Sequence, residues 1–259
     1  MLRRIKHAVS HPRDALYFLG KRILDRALTR SATFESLAER ALADRRLPRA
    51  LTRATDAGLP VKTVYDIGAR HGEWSRQLKQ WLAADFILFE ANEVHAANLE
   101  RRGFRYFTKI LSDKEREVEW IGKGGTGDSY FRENSSTYAG VPSQKIRATT
   151  LDSLIREHSL PLPDLIKLDT QGSELDIMRG GKKALLHASF VYIECSLVDY
   201  NAGAPQLPEV LTFMKSMNFI PCDVGEDHRK AGALIQLDVL FIREELYRRL
   251  DPEAGSLFY

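Results

Sequence analysis

The sequence predicts an α/β domain, a mostly parallel sheet with helices on both faces, preceded by a basic helical extension. Three observations predict it. From Val61 onward, short apolar runs alternate with longer amphipathic stretches, the rhythm of strand and crossover helix. The first run, Val64 to Ile67, passes through Asp66 into Gly68 and Gly72, a turn suited to the carboxyl end of a first strand. The second run ends in a carboxylate, Glu90, about 20 residues beyond those glycines.

A chain of 259 residues favours one main domain with an appendage. Hydrophobic residues at 44% and charged residues at 28% exclude wholesale disorder and a multispan membrane protein. No apolar run approaches the roughly 20 residues that cross a bilayer. The first twenty residues are basic but lack the apolar stretch and cleavage site of a secretory signal, so they are read as retained. The two cysteines, Cys195 and Cys222, fit reduced thiols in a cytoplasmic setting.

Residues 1 to about 55 form the expected extension, with the main domain over 56–259. Leu2, Ile5, Val9, Leu16, Leu19, Ile23, Leu24 and Leu28 recur near helical spacing, with a break at His11-Pro12. Residues 1–53 hold 13 Lys or Arg against 5 Asp or Glu, a surplus of +8, so with +3 overall the remainder carries −5. Such helices either pack on the main domain or on a second copy in a homo-oligomer, or lie on an anionic surface, which makes peripheral contact with the inner membrane the alternative.

Within the main domain the expected strands are Thr63 to Ile67, Phe86 to Phe89, Arg105 to Ile110, Leu165 to Leu168, Phe190 to Ile193 and Asp238 to Ile242. The expected helices are Glu73 to Ala83, Val94 to Arg102, Leu151 to His158, Leu175 to His187 and Pro208 to Met217. The stretch from Glu117 to Arg147 breaks the alternation. Gly122, Gly124, Gly125 and Gly127, followed by Ser135-Ser136-Thr137, predict a hairpin and a mobile loop carrying substrate contacts or a lid.

Chemistry concentrates where the strands end. Dinucleotide sites favour Gly-x-Gly-x-x-Gly because a pyrophosphate presses on the backbone, but Arg70 holds the middle position here. The wider Asp-x-Gly-x-x-x-Gly spacing of Asp66, Gly68 and Gly72 suits a ligand without a pyrophosphate, such as S-adenosylmethionine. Glu90 is placed to accept hydrogen bonds from two ribose hydroxyls. Ser112 and Asp113, at the end of the third strand, are placed to flank an adenine.

A second cluster runs from Asp164 to Glu174. Lys167 interrupts an apolar strand closed by Asp169; buried, it needs a carboxylate partner, either Asp169 or Glu194, which closes the next strand. Asp169 is the candidate general base for a hydroxyl acceptor, or with Glu194 part of a divalent metal site, and Lys167 shapes its charge. His71, in the glycine turn, is a further candidate base. His95 and His187 read as surface or core residues, and no His or Cys spacing forms a closed zinc site.

The ordered set Asp-Ile-Gly-Ala-x-x-Gly (66–72), Phe89-Glu90, Leu111-Ser112-Asp113, Thr150-Leu151-Asp152, Lys-x-Asp-x-x-Gly-x-Glu (167–174) and Ile193-Glu194 resembles the FkbM family of methyltransferases over about Val61 to Ile242. The resemblance implies a Rossmann-like class I methyltransferase fold with a seven-stranded sheet. It also implies S-adenosylmethionine as donor, bound through positions that include Ala69 and Ala91, and O-methylation of a sugar, glycan or natural product. Arg70, Ala91 and Gln171 replace the Asn, Pro and acidic residue often found in that family.

Three rivals follow from the same residues. An RNA ribose O-methyltransferase is favoured by the basic N-terminal segment, although nucleic acid is the lesser partner. A nicotinamide-dependent oxidoreductase is disfavoured by the missing dinucleotide glycines. A non-catalytic binding module sits poorly with the intact acidic and glycine positions.

Overall fold

The computed structural model describes residues 20–21 and 45–250. The chain divides into two compact units, Met1–Arg45 and Arg46–Tyr259. The helical pattern read over the N-terminal extension lies outside the described residues, apart from 20–21 and 45–55, which are helical. The second unit begins at Arg46, not near residue 56, because Leu47, Ala50, Leu51 and Ala54 of that helix are buried in its core. No helix among the described residues is long and apolar enough to cross a membrane.

The strands are β1 (Thr63–Ile67), β2 (Asp85–Glu90), β3 (Arg105–Thr108), β4 (Arg116–Ile121), β5 (Ser143–Ala148), β6 (Leu165–Leu168), β7 (Phe190–Ser196), β8 (Phe219–Lys230) and β9 (Ala233–Arg243). Seven of them form one sheet in the order β3-β2-β1-β6-β7-β9-β8. The first five in that order run parallel, and β9 pairs antiparallel with both β7 and β8. The order reverses between β1 and β6, and at such a switch point the strand ends leave a crevice for a ligand.

The central strands are buried on both faces, as a sheet covered by helices requires. Alternation then sorts their side chains. Tyr65, Ile67, Ile166, Leu168, Val191 and Ile193 enter one core, together with Leu151, Leu175 and Met214 from the helices on that side. Val64, Leu88, Leu165 and Tyr192 enter the other, with Leu51, Leu78 and Leu99. Asp66 and Lys167 alternate onto this second face, and the register of β1 with β6 sets them side by side.

Several expectations change in detail. β3 stops at Thr108, and the first helix after β1 is short, Glu73–Leu78. The helix expected over Leu175 to His187 is two helices, Glu174–Gly180 and Lys182–His187, broken at Gly181. A Cβ at Gly180 would lie 2.1 Å from the Ser112 carbonyl oxygen, so close approach explains that glycine. β8 escaped the sequence reading because it is an edge strand of mixed polarity with Pro221, Gly225 and register shifts. The expected hairpin is present as β4 and β5, paired antiparallel outside the main sheet.

Candidate active site

The turn after β1 is built around two left-handed glycines, Gly68 (φ +80°) and Gly72 (φ +70°). The amides of Gly68 and Ala69 both donate to the Phe89 carbonyl, which ties the turn to β2. A Cβ on Gly68 would lie 1.8 Å from the main-chain oxygen of Asp169, and one on Gly72 would press on Leu99, Leu88 and Phe104. Both glycines therefore let protein approach protein. Room for a ligand comes from the strand ends themselves.

There, a cavity of about 360 Å³ runs past Gly68, Glu90 and Ala91 to Asp169, Gln171 and Glu194. Glu90 is 7% exposed. Its Oε2 accepts the Arg70 amide at 2.6 Å and its Oε1 the Asn92 amide at 2.8 Å. Each oxygen thus spends one lone pair on the main chain and keeps another for a ligand hydroxyl. Burial raises the Glu90 pKa, against the pull of those two amides.

Further along, the wall is Lys109, Ile110 and Leu111. Ser112 and Asp113, the two residues that follow, do not line the cavity. The Arg116 guanidinium donates to Ser112 Oγ at 3.0 Å and to Asp113 Oδ1 at 3.0 Å, and pairs with Asp176 at 3.2 Å. Trp120 and Tyr130, unremarked in the sequence, line the cavity beside them. His71 lies off the wall and meets His95 edge-on at 4.7 Å, whereas His95, read as a surface or core residue, is both buried and part of the wall.

Lys167 settles its burial with two carboxylates. Its Nζ lies 3.1 Å from Asp66 Oδ1, 3.3 Å from Asp169 Oδ2 and 3.2 Å from the Gly68 carbonyl oxygen. Glu194, offered as an alternative partner, is not one of them; Asp66 takes that place because strand register presents it. Asp66 also accepts from Ser75 at 2.7 Å. Burial opposes the charge of Lys167, but Asp169 and Asp66 outweigh it and its pKa is raised.

Asp169 bridges this buried pair and the open cavity, with 39% of its side chain exposed. Gln171 links it to the next strand: Nε2 donates to Asp169 Oδ1 at 3.2 Å and to Glu194 Oε2 at 2.6 Å. Gln236 donates to the same Glu194 oxygen at 2.8 Å, and His228 Nε2 stands 3.6 Å from Glu194 Oε1. The two acids diverge in character. Burial disfavours charge on Asp169, but Lys167 and Gln171 prevail and its pKa falls below the usual value. Burial, reinforced by Asp169, Asp238 and Glu174, lifts the pKa of Glu194 well above the usual range. Asp238, paired with Glu194 across β7 and β9, is raised to about 7, by burial and then by Asp169.

Among the described residues, the group whose ligand atoms converge within 4.8 Å is Glu194, His228 and Asp238. Asp169, the other residue expected at a metal, lies outside that group and instead contacts Lys167 and Gln171. His228 and Gln236 gave no signal in the sequence: His228 lies in the polar run Gly225 to Lys230, and Gln236 is a lone amide within the apolar strand β9.

Comparison with known proteins bears on this site. The family described as methyltransferase FkbM domain matches residues 66–221. The 2-O-methyltransferase NoeI of Sinorhizobium fredii is 27% identical over 180 residues, 62% of this chain and 74% of that protein. Among solved structures, the magnesium protoporphyrin IX methyltransferase of Synechocystis PCC 6803 with bound SAM aligns at a TM-score of 0.46 and 10% identity, covering 80% of each chain. The 1,6-didemethyltoxoflavin-N1-methyltransferase of Burkholderia thailandensis aligns at 0.43 and 13%, covering 88% of this chain and 89% of that one.

Proposed function

The chain belongs to the FkbM family of methyltransferases, and from that premise we propose that it carries the methyl group of S-adenosylmethionine to a hydroxyl oxygen of a sugar, glycan or related natural product. The oxidoreductase and binding-module readings give way to the family. One observation carries the proposal: a single cavity joins the doubly anchored carboxylate of Glu90 to the acid pair Asp169 and Glu194. The relative named a 2-O-methyltransferase supports oxygen as the receiving atom.

The residues present fit the donor. Glu90 offers one unspent lone pair on each oxygen to a ribose diol, while Gly68, Ala91, Ile110 and Leu111 supply close walls. When bound, S-adenosylmethionine supplies an electrophilic methyl group on a sulfonium. The protein's task is then to hold a hydroxyl in line and take its proton. Asp169 stays anionic and so is a weak base, suited to accept a hydrogen bond that orients the hydroxyl. Glu194 binds a proton more tightly, the property of a base that works near neutral pH, and its Oε2 is already taken by two amides. We assign the proton to Glu194 Oε1, with Gln171 and Gln236 fixing the carboxyl.

The test is incubation of labelled S-adenosylmethionine with sugar, lipid-linked glycan and RNA acceptors. Label in the sugar or glycan fraction is expected. Asp169→Asn and Glu194→Gln should keep affinity for S-adenosylhomocysteine and lose at least about a hundredfold in turnover. Turnover should rise with pH above the ordinary carboxylate range, since Glu194 must shed its proton first. Near-normal rates in Glu194→Gln would remove that role. Methylation of an RNA ribose is the second reading, favoured by the surplus of +8 in residues 1–53; label in RNA with steeply salt-dependent binding would establish it instead.

A further inference from the structure

We propose that Asp128 is a positioning residue of the donor site, a side chain that ties the glycine-rich segment 122–127 to the strand end bearing Glu90. The inference rests on the donor reading above. It starts from a discrepancy. Four glycines in six residues predict a mobile lid, yet three of them are glycines because their Cβ positions are occupied. At Gly122 a Cβ would meet Trp120 Nε1 at 2.4 Å, at Gly125 the Tyr138 hydroxyl at 2.4 Å, and at Gly127 a Glu133 carboxylate oxygen at 1.8 Å. The segment is packed, and Ile121 and Ser129 close its base by exchanging two main-chain hydrogen bonds.

Asp128 organises what lies between. Its Oδ1 accepts the amides of Lys123 at 3.0 Å and Gly125 at 3.2 Å and the Tyr138 hydroxyl at 2.8 Å. Its Oδ2 accepts the Gly124 amide at 2.8 Å and Asn92 Nδ2 at 2.7 Å. Five donors saturate the two oxygens, so Asp128 has no capacity left for a ligand. The last bond is the informative one. Asn92 also donates its own amide to Glu90 Oε1, so the chain Glu90, Asn92, Asp128 runs unbroken from the ribose receptor to the loop. Gly125 and Thr126 then line the same cavity as Glu90 and Ala91. The glycine segment, expected to touch the acceptor, is thereby assigned to the donor.

The effect is read on the full chain with Asp128→Asn, which keeps size but turns one acceptor oxygen into a donor facing donors. Calorimetric affinity for S-adenosylhomocysteine should fall by about tenfold or more, as loss of charge-assisted hydrogen bonds predicts. The KM for the methyl donor should rise with it, the acceptor KM should stay within about twofold, and the amides of 123–125 should lose protection from hydrogen exchange. Tyr138→Phe, which removes one of the five donors, should show the same pattern at about threefold and guards against a folding defect in the first variant. Affinity in Asp128→Asn within about twofold of wild type, or amides that stay protected, overturns the inference alone. A wild-type protein that does not bind S-adenosylhomocysteine overturns the donor reading and this inference with it.

Discussion

The two ends of the cavity are held by different kinds of bond. At the Glu90 end, every fixing contact on the carboxylate comes from the main chain, through the amides of Arg70 and Asn92. At the Glu194 end, side chains hold side chains: Gln171, Gln236 and His228 surround one carboxyl, and Lys167 holds its neighbour Asp169. Main-chain amides are set by the fold and cannot be exchanged by substitution. Side-chain partners can be replaced one at a time, so under the proposed function the Glu90 end would serve the constant donor and the Glu194 end the variable acceptor.

The strongest way to break this comparison is Gly68→Ala, since that glycine touches both ends. The collision with the Asp169 carbonyl and the positive φ together should cost about 4 kcal/mol, visible as a large fall in melting temperature or as insoluble protein. A stable, ligand-binding Gly68→Ala would disprove the close approach. Next in size is Lys167→Met, which strands Asp66 in the core and frees Asp169. With Asp169 partly exposed, the loss should be about 2 to 3 kcal/mol in denaturant unfolding.

Glu90→Gln sharpens the contrast by touching one end only. It should weaken S-adenosylhomocysteine about 10- to 100-fold by calorimetry and leave the acceptor KM unchanged; equal damage to both constants would mean the ends are not separable. The acid cluster gives a pH signature with a definite sign. Because Asp238 is raised to about 7, the native state keeps a proton that the unfolded chain releases above about pH 4. Stability should therefore decline as pH climbs from about 4 to 7, by up to about 1.4 kcal/mol per unit per group. Asp238→Asn should flatten that slope in calorimetric melts, and a rising slope would refute the assignment. Smallest is Gln171→Ala, which should lower kcat/KM by about 3- to 10-fold through loss of one bridge, with donor affinity intact.

The proposed donor half was legible because its features are local in sequence. A glycine turn after an apolar strand and a carboxylate closing the next strand are set by spacing along the chain, and Glu90 stands where that spacing put it. The proposed acceptor half was legible only in Asp169 and Glu194. Gln236 and His228 join them through antiparallel pairing of β9 with β7 and with β8, a long-range register that no local pattern announces. Asp66, read as a donor-binding residue, stands in the structure as the buried counter-charge of Lys167, a placement fixed by alternation and by the neighbouring strand. Ser112 and Asp113 are the two residues just beyond the wall, because β3 ends at Thr108 and Arg116 claims both side chains. Of the four glycines of 122–127, three stand where neighbours occupy the Cβ position; glycine marks tight packing as readily as freedom, and only the neighbours tell the two apart.

His228 and Gln236 face each other across the closing ribbon at one flank of the sheet. Strands on the opposite flank, β1 to β3, carry the glycine turn and the Glu90 carboxylate to which the proposal assigns the nucleoside. Under that proposal, substitutions in the ribbon alone would redirect which molecule is decorated, while the machinery for supplying methyl groups would be inherited unaltered.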